Sequence, residues 1–179
     1  MGDFEWYEII SNSNNLSQGD FINDCPIIKP PKVIDLHAEN DIQIDLINSI
    51  IMSQSCDLEN NKIEIVLVCP YFPLRYFIDN LPEDQKSKKA IAKAIDNLKK
   101  GNQPGYHLLN KSIEKKLDDY IVVDFRNVYG VHIENLKIIA EKIPERLRLL
   151  PPYREHLSQA FARYFMRVGL PQDINIEGY

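Results

Sequence analysis

The sequence lacks the features that would place it in a membrane. It has no run of 18 apolar residues, which is close to the length that a membrane-spanning helix needs, so we expect no such helix. A secretory leader begins basic and then becomes apolar, whereas the first six residues, MGDFEW, mix acids with aromatic residues. We therefore expect a cytoplasmic protein that does not contact membranes.

Cysteine is scarce as well. The chain has three, Cys25, Cys56 and Cys69, and an odd, low number without a secretion signal favours reduced thiols over disulfides. Together with a histidine these thiols could bind zinc at the ends of their strands. No two of them are close in sequence, however, as the ligands of structural zinc usually are. We predict no metal or other cofactor, and keep a zinc site as an alternative.

The chain also lacks an excess of positive charge. Its 26 acidic and 21 basic residues give a formal charge of -5, which argues against binding nucleic acid through bulk charge. The charge is uneven, because residues 1–62 carry 11 acids and 3 bases, whereas five of the seven arginines lie between Arg146 and Arg167. We expect any anion-binding surface to lie in that last part of the chain.

The composition is that of a globular protein. With 179 residues, 44% of them hydrophobic, the chain is long enough for one domain with a substantial core. We divide this single domain (1–179) into an N-terminal arm and loop (1–17), a core (18–150) that contains an inserted helix (84–100), a C-terminal helix (151–169) and a tail (170–179).

Several segments have the pattern of β-strands. The run Ile-Gln-Ile-Asp-Leu that begins at Ile42 alternates apolar with polar residues, the period of a half-buried strand within residues 41–53. Residues 62–68 follow closely enough to pair with that strand as a hairpin. Pro26 confines the strand predicted over residues 21–28 to a sheet edge. Further strands are predicted over residues 120–125, 131–133 and 146–149.

Three helices are predicted from apolar residues that recur every three or four positions. They cover residues 84–100, 134–142 and 151–169. Gly101 ends the first of them as a C′ residue, and two prolines open the last. Strands and helices in this order predict an α+β fold, either a small SH3-like β-barrel or a strongly bent antiparallel sheet, with three packed helices.

Two residues could take part in covalent or acid–base chemistry. Cys56 follows an apolar strand, where a rigid scaffold can present a side chain, and His107 or His156 could activate it as a nucleophile. His107 lies in the loop sequence GNQPGYH and could transfer a proton near neutral pH. The structural alternatives are a packed cysteine before a turn, and a helix cap that leads into a strand.

The arginines of the last part of the chain form a candidate anion-binding group. Two of them share one face of a predicted strand, and two others share one face of the last helix with Gln159. Guanidinium groups presented in this way suit phosphate or carboxylate. The alternative is a set of ion pairs with nearby glutamates or with the acidic first third. The candidates for nucleic-acid or anion binding are Arg146, Arg148, Arg154, Arg163 and Arg167.

The order of these features resembles the MazF/PemK-like toxins, which have small SH3-like barrels. Gly19-Asp20 opens the first core strand, residues 41–53 form a long strand that ends in a polar loop, and a valine-rich strand runs into a short helix over residues 120–136. The resemblance covers residues 18–142 and implies a symmetric dimer. The family's basic residue soon after Gly-Asp and its Arg-Pro before the second strand are not found in this sequence.

The resemblance also implies a metal-independent ribonuclease site. Arg75 would stabilise charge on the phosphate, and Ser53, Ser55 or His107 would help with proton transfer. Because the family's catalytic pair has no clear match, we predict a nucleic-acid or protein binding component of a bacterial toxin or defence system, of which a degenerate endoribonuclease is one form. Two alternatives remain open: a non-enzymatic protein-interaction subunit, and an enzyme that uses Cys56 or zinc.

Overall fold

The computed structural model describes residues 4–166, which form an α+β fold. The strands of this part are β1 (Tyr7–Ser11), β2 (Phe21–Lys29), β3 (Gln43–Ile51), β4 (Ile65–Pro73), β5 (Tyr106–Leu109), β6 (Ile121–Asp124), β7 (Tyr129–His132) and β8 (Glu145–Leu149). Its α-helices are α1 (Ser55–Glu59), α2 (Leu74–Asp79), α3 (Lys88–Lys99), α4 (Ile133–Lys142) and α5 (Tyr153–Phe165). None of the described helices is long and apolar enough to cross a bilayer.

The main sheet bends at β4. This strand pairs with β7 over residues 65–68, with β3 over residues 68–70 and with β6 over residues 71–73, so its neighbours change along its length. The strand order is β2-β3-β4-β6-β5, and β2 and β5 do not pair with each other in the part of the chain described. The sheet is therefore antiparallel and bent, and it does not close into a barrel.

A two-stranded ribbon of β1 and β8 joins the sheet at the start of β2. Asp20 bridges to Arg148, and the Leu149 amide donates to the Gly19 carbonyl at 3.0 Å. Gly19 has a φ of +86°, and a Cβ at this position would lie 3.0 Å from Leu149 Cβ. Glycine is needed here because it alone combines this backbone conformation with so close an approach.

Most predicted elements are present at shifted bounds. The three predicted helices correspond to α3, α4 and α5, and positions 167–169 of the last lie outside the described residues. β3 and β4 pair as predicted, and β2 is the terminal strand of the sheet, which fits the proline at position 26. The sequence does not predict α1 and α2, because helices of five and six residues are too short to show a helical period.

The alternating apolar residues just before β3 and in its first half are exposed, and the prediction of a half-buried strand there was wrong. Ile42, Ile44 and Leu46 are 68%, 60% and 67% exposed. Ile28 pairs with Ile44 across the β2–β3 hairpin and is 64% exposed on the same face. The reason is that β4 pairs only with residues 49–51 of β3, so the rest of the hairpin extends beyond the sheet.

Three clusters of buried side chains form the core and fix the helices. The first packs α4 on the sheet through Leu136, and the second packs α5 through Leu157 and Phe125. The third packs α2 and α3 through Phe77 and Leu98. The helices α3 and α5 are thereby held on either side of β5, where a cleft forms.

Candidate nucleic-acid interface

Two of the predicted anion-binding arginines are held by one buried carboxylate. Asp20 is fully buried and accepts hydrogen bonds from Nε of Arg146 at 3.0 Å and from Nε and Nη2 of Arg148. Arg146 also donates from Nη1 to the Ser13 carbonyl and from Nη2 to the Asn15 carbonyl, and Arg148 Nη2 donates to the Asn15 carbonyl as well. The network therefore fastens the loop before β2 to the face of β8.

These two arginines are committed to the fold. The alternation of β8 places both guanidinium groups on one face, as predicted, and the acidic first third of the chain supplies their partner. Their side chains are only 1% and 17% exposed, so Arg146 and Arg148 have little capacity left for a phosphate. Arg154 forms the predicted kind of ion pair, with Glu155 at 3.1 Å.

The residues that the resemblance assigns to ribonuclease chemistry lie at opposite ends of β4. Ser53 Oγ accepts from the Leu67 amide at 2.8 Å near the start of the strand, and Ser55 begins the adjacent α1. Arg75 follows the end of the strand, is exposed, and donates from Nε to Asp119 at 3.0 Å. Strands rise about 3.3 Å per residue, so the two ends of this nine-residue strand are up to about 26 Å apart. The structure does not bring Arg75 together with either serine.

The three cysteines also lie apart. Cys25 and Cys69 are buried in different core clusters, where burial raises the pKa of their thiols to about 11 and about 12. Cys56 is exposed in α1, whereas His107 and His156 line a cleft beside α5. Within residues 4–166 no three metal-ligating side chains lie together. The structure therefore brings together neither the zinc ligands nor the cysteine–histidine pair of the alternative interpretations.

A cleft of about 360 Å³ lies between the end of α3, β5 and α5, and we name it the cationic cleft. Among the described residues, no carboxylate lines it, although the whole chain has a formal charge of -5. The side chains with basic nitrogens that line it are Lys99, Lys100, His107, His156 and Arg163.

The end of α3 forms one wall of this cleft. Gly101 has a φ of +68° and ends the helix in the left-handed conformation, as predicted. Lys99 lies in the last turn and Lys100 is the C-cap residue, and positive side chains there interact favourably with the negative end of the helix dipole. Lys100 Nζ lies 2.6 Å from Asp96, an acid that does not line the cleft.

The helix α5 forms the opposite wall. Leu157 is fully buried against the core and fixes the rotation of the helix. His156, Gln159 and Arg163, spaced three and four residues apart, therefore line the cleft together. The predicted common face of Gln159 and Arg163 is confirmed, and its third member, Arg167, lies outside the described residues.

His107 is uncharged at neutral pH. Its ring stacks on Phe125, with 6.1 Å between the ring centroids. Burial, reinforced by repulsion from His156 and Arg163, lowers the pKa of His107 from 6.5 to about 4. The neutral ring can donate and accept hydrogen bonds, while the two lysines and Arg163 supply positive charge.

Sequence reasoning missed the two lysines of the cationic cleft. They belong to a lysine-rich helix whose basic residues all look solvated in the sequence. Only the packing of α5 beside the last turn of α3 distinguishes Lys99 and Lys100 from Lys89 and Lys93, which do not line the cleft. The sequence feature that could have identified these two lysines is their position just before Gly101 and the loop that leads to His107.

Comparisons of this chain with protein-family models, with curated proteins and with solved structures each give no match. A function for the cationic cleft therefore rests on its own chemistry.

Proposed function

We propose that this protein binds single-stranded nucleic acid, RNA above all, through the cationic cleft. The observation that carries the proposal is the concentration of basic side chains, with no carboxylate among the described lining residues, in a chain that is acidic as a whole. A net negative protein repels a polyanion from most of its surface, so a local positive cluster determines where the strand binds.

We propose further that the protein acts in the bacterial cytoplasm as a component of a toxin or defence system. The resemblance to MazF/PemK-like toxins supports this class, and the bent sheet would then be an opened form of their SH3-like barrel. Gly19-Asp20, which immediately precedes β2, stands at the junction of ribbon and sheet. Binding is proposed rather than cleavage, because Arg75 and the serines lie at opposite ends of β4.

The first prediction concerns RNA binding at the cationic cleft. Three positive charges in contact with phosphates imply that log Kd rises with log salt concentration with a slope of about 2 for a single strand. The double variant Lys99→Ala/Arg163→Ala should weaken binding at least about tenfold at low salt and lower the slope to below about 1. Fluorescence anisotropy of a labelled 12-nucleotide RNA over a series of KCl concentrations measures both quantities.

The matched control is the double variant Lys89→Ala/Lys93→Ala. It changes the net charge by the same amount, at two exposed positions of α3 outside the cleft, and should bind within about twofold of the wild type. Equal weakening by the two double variants would show that only net charge matters. An unmodified protein that binds no RNA at low salt would end the proposal.

A second candidate function is self-association through the β2–β3 hairpin, as a non-enzymatic interaction subunit. The observation that favours it is the exposed apolar face formed by Ile28, Ile42, Ile44 and Leu46. Burying each such side chain contributes about 1.5–3 kcal/mol, which offsets the cost of association. A second copy is the proposed partner, because a two-fold axis lets one apolar face cover its own equivalent.

Light scattering after gel filtration tests this second candidate. The wild type should have about twice the mass of the 20.8 kDa chain, and Ile44→Lys/Leu46→Lys should give the mass of one chain. Ile138→Lys replaces another exposed isoleucine, on α4, and should leave the dimer intact. A wild type that runs as a monomer at high concentration would contradict the candidate.

A further inference from the structure

The loop that joins β2 to β3 presents aliphatic side chains to solvent, and we name residues 30–42 the hairpin tip. Val33, Ile34 and Leu36 are 80%, 60% and 87% exposed. The tip lies at the far end of the hairpin that extends beyond the sheet, so no other part of the described chain covers these side chains. An exposed apolar cluster of this kind is typical of a surface that another molecule covers.

The hairpin tip is held in a defined shape. The Asn40 side chain accepts from the Asp35 amide at 3.0 Å and donates to the carbonyls of Asp35 and Ala38 at 2.7 and 3.1 Å. The His37 amide donates to the Asp35 carboxylate at 2.9 Å. A loop that is ordered before it docks loses less conformational entropy on binding, so this tip is suited to insertion into a partner.

The hairpin tip is also acidic. It has three acids, Asp35, Glu39 and Asp41, and one lysine, Lys32, which give it a formal charge of -2 with His37 neutral. All of these side chains are exposed. The surface that receives the tip should therefore be apolar, with positive charge beside it.

One cavity of the chain has this complementary character. It has a volume of about 760 Å³ and lies between α2, the loop after α3, and α5, and we name it the aromatic pocket. Among the described residues that line it, the acid is Asp124, which is buried and bound by Arg126 at 2.8 Å. The cationic cleft adjoins the pocket, because Pro104 and Tyr106 line both.

The aromatic pocket has room for side chains from outside. Its volume falls in the range of about 300–1,000 Å³ that is typical of pockets enclosing a small ligand. Tyr76 on its wall is 55% exposed. The aromatic and apolar side chains that the pocket presents at least partly to solvent are Phe72, Tyr76, Leu81, Pro82 and Tyr164.

We infer that the aromatic pocket receives the hairpin tip of a second copy of this chain. Ile34 and Leu36 enter the pocket, and the acids Asp35 and Glu39 face the positive side chains of the adjoining cationic cleft. A second copy is the occupant because one chain supplies both complementary surfaces. Each copy has one tip and one pocket, so a two-fold axis satisfies both surfaces in a closed pair.

The docked tip also determines when the cationic cleft is free, a step that rests on the proposed function. The acids of the tip neutralise the same lysines and arginine that would otherwise bind phosphates. RNA and the second copy therefore compete for the cationic cleft, and RNA binding should separate the pair into single chains.

Light scattering after gel filtration, at high protein concentration, tests the docking. The wild type should have about twice the mass of the 20.8 kDa chain. Leu36→Asp in the tip and Tyr76→Glu in the pocket should each give the mass of one chain, because each places a carboxylate in an apolar contact. Both positions are more than half exposed, so the melting temperatures should stay unchanged.

Two further samples make the test specific. An equimolar mixture of Leu36→Asp and Tyr76→Glu should again contain particles of two chains, since one partner keeps an intact tip and the other an intact pocket. Ile113→Asp replaces an isoleucine that is 71% exposed outside both surfaces and should keep the mass of the wild type. A mixture that stays at the mass of one chain would overturn the inference.

The remaining outcomes separate this inference from the other proposals. A monomeric wild type would remove it, and so would a dimer that survives both Leu36→Asp and Tyr76→Glu; that dimer would instead support contact between hairpin faces. An excess of the 12-nucleotide RNA should convert the wild type to single chains, and a dimer that persists with RNA bound would disprove the competition. A wild type that dimerises through tip and pocket but binds no RNA would end the proposed function and support the docking.

Discussion

Replacing Asp20 with alanine is expected to lower the free energy of unfolding by about 3–5 kcal/mol, because two guanidinium groups lose their carboxylate. Arg146 and Arg148 would remain largely buried beside the loop that they fasten. Removing one partner of a buried ion pair costs more than the intact pair contributes, since the remaining charge is left without compensation. Urea unfolding can be followed by the fluorescence of the single tryptophan, Trp6, which stacks on Tyr153.

Two further variants show whether burial is the reason. Asp45→Ala removes a carboxylate that pairs with Lys29 on the hairpin, where both side chains are accessible, and should cost less than about 1 kcal/mol. Asp20→Asn keeps an acceptor for one guanidinium and for the Ser17 amide, and should cost less than Asp20→Ala. If Asp20→Ala unfolds within about 1 kcal/mol of the wild type, the network does not stabilise the junction of ribbon and sheet.

The second large effect is expected at Phe125, the side chain on which α5 and His107 both rest. Phe125 is fully buried, and its ring contacts those of His107, Phe161 and Tyr164. Phe125→Ala should therefore lower the free energy of unfolding by about 3–5 kcal/mol. It should also weaken RNA binding, because the wall that carries Arg163 is no longer held in position. Urea unfolding and anisotropy measure the two effects.

The control for this prediction is Phe165→Ala, at the end of α5. Phe165 is 61% exposed and makes T-shaped ring contacts with Phe161 and Tyr164, so its removal should cost less than about 1 kcal/mol and leave RNA affinity unchanged. Similar losses from both variants would show that α5 depends on its exposed aromatic residues as much as on the core.

Local sequence signals predicted the helices better than the strands. α3 and α5 have apolar positions at helical spacing, and Gly101 has the backbone conformation that its place after α3 requires. The alternation after Ile42 has the correct period for a strand, but alternation does not reveal whether another element covers the apolar face. The bounds of β4 differ from the predicted 62–68 for a related reason. Its partners β6 and β7 are distant in sequence, so the local pattern does not fix where the strand begins and ends.

The candidate site was predictable only in fragments. The common face of Gln159 and Arg163 followed from helical geometry. The burial of Arg146 and Arg148 did not follow from the sequence. Their alternation on a strand fits a surface that binds phosphate and equally a buried network with Asp20. The resemblance to MazF/PemK-like toxins placed Arg75 and Ser53 in one site, whereas in the structure they lie at opposite ends of β4.

By itself the sequence determined the class of fold, the places of the main helices, the edge position of β2 and the concentration of arginine late in the chain. These depend on periodicity, on proline and glycine geometry, and on composition, all of which act over a few residues. Tertiary structure decided which arginines are buried in ion pairs with Asp20 and which lysines line the same cleft as His107 and Arg163. It also decided that Gln103 lines a cavity together with several aromatic rings. Such pairings join residues far apart in the chain, and only the packing of helices on a bent sheet specifies them.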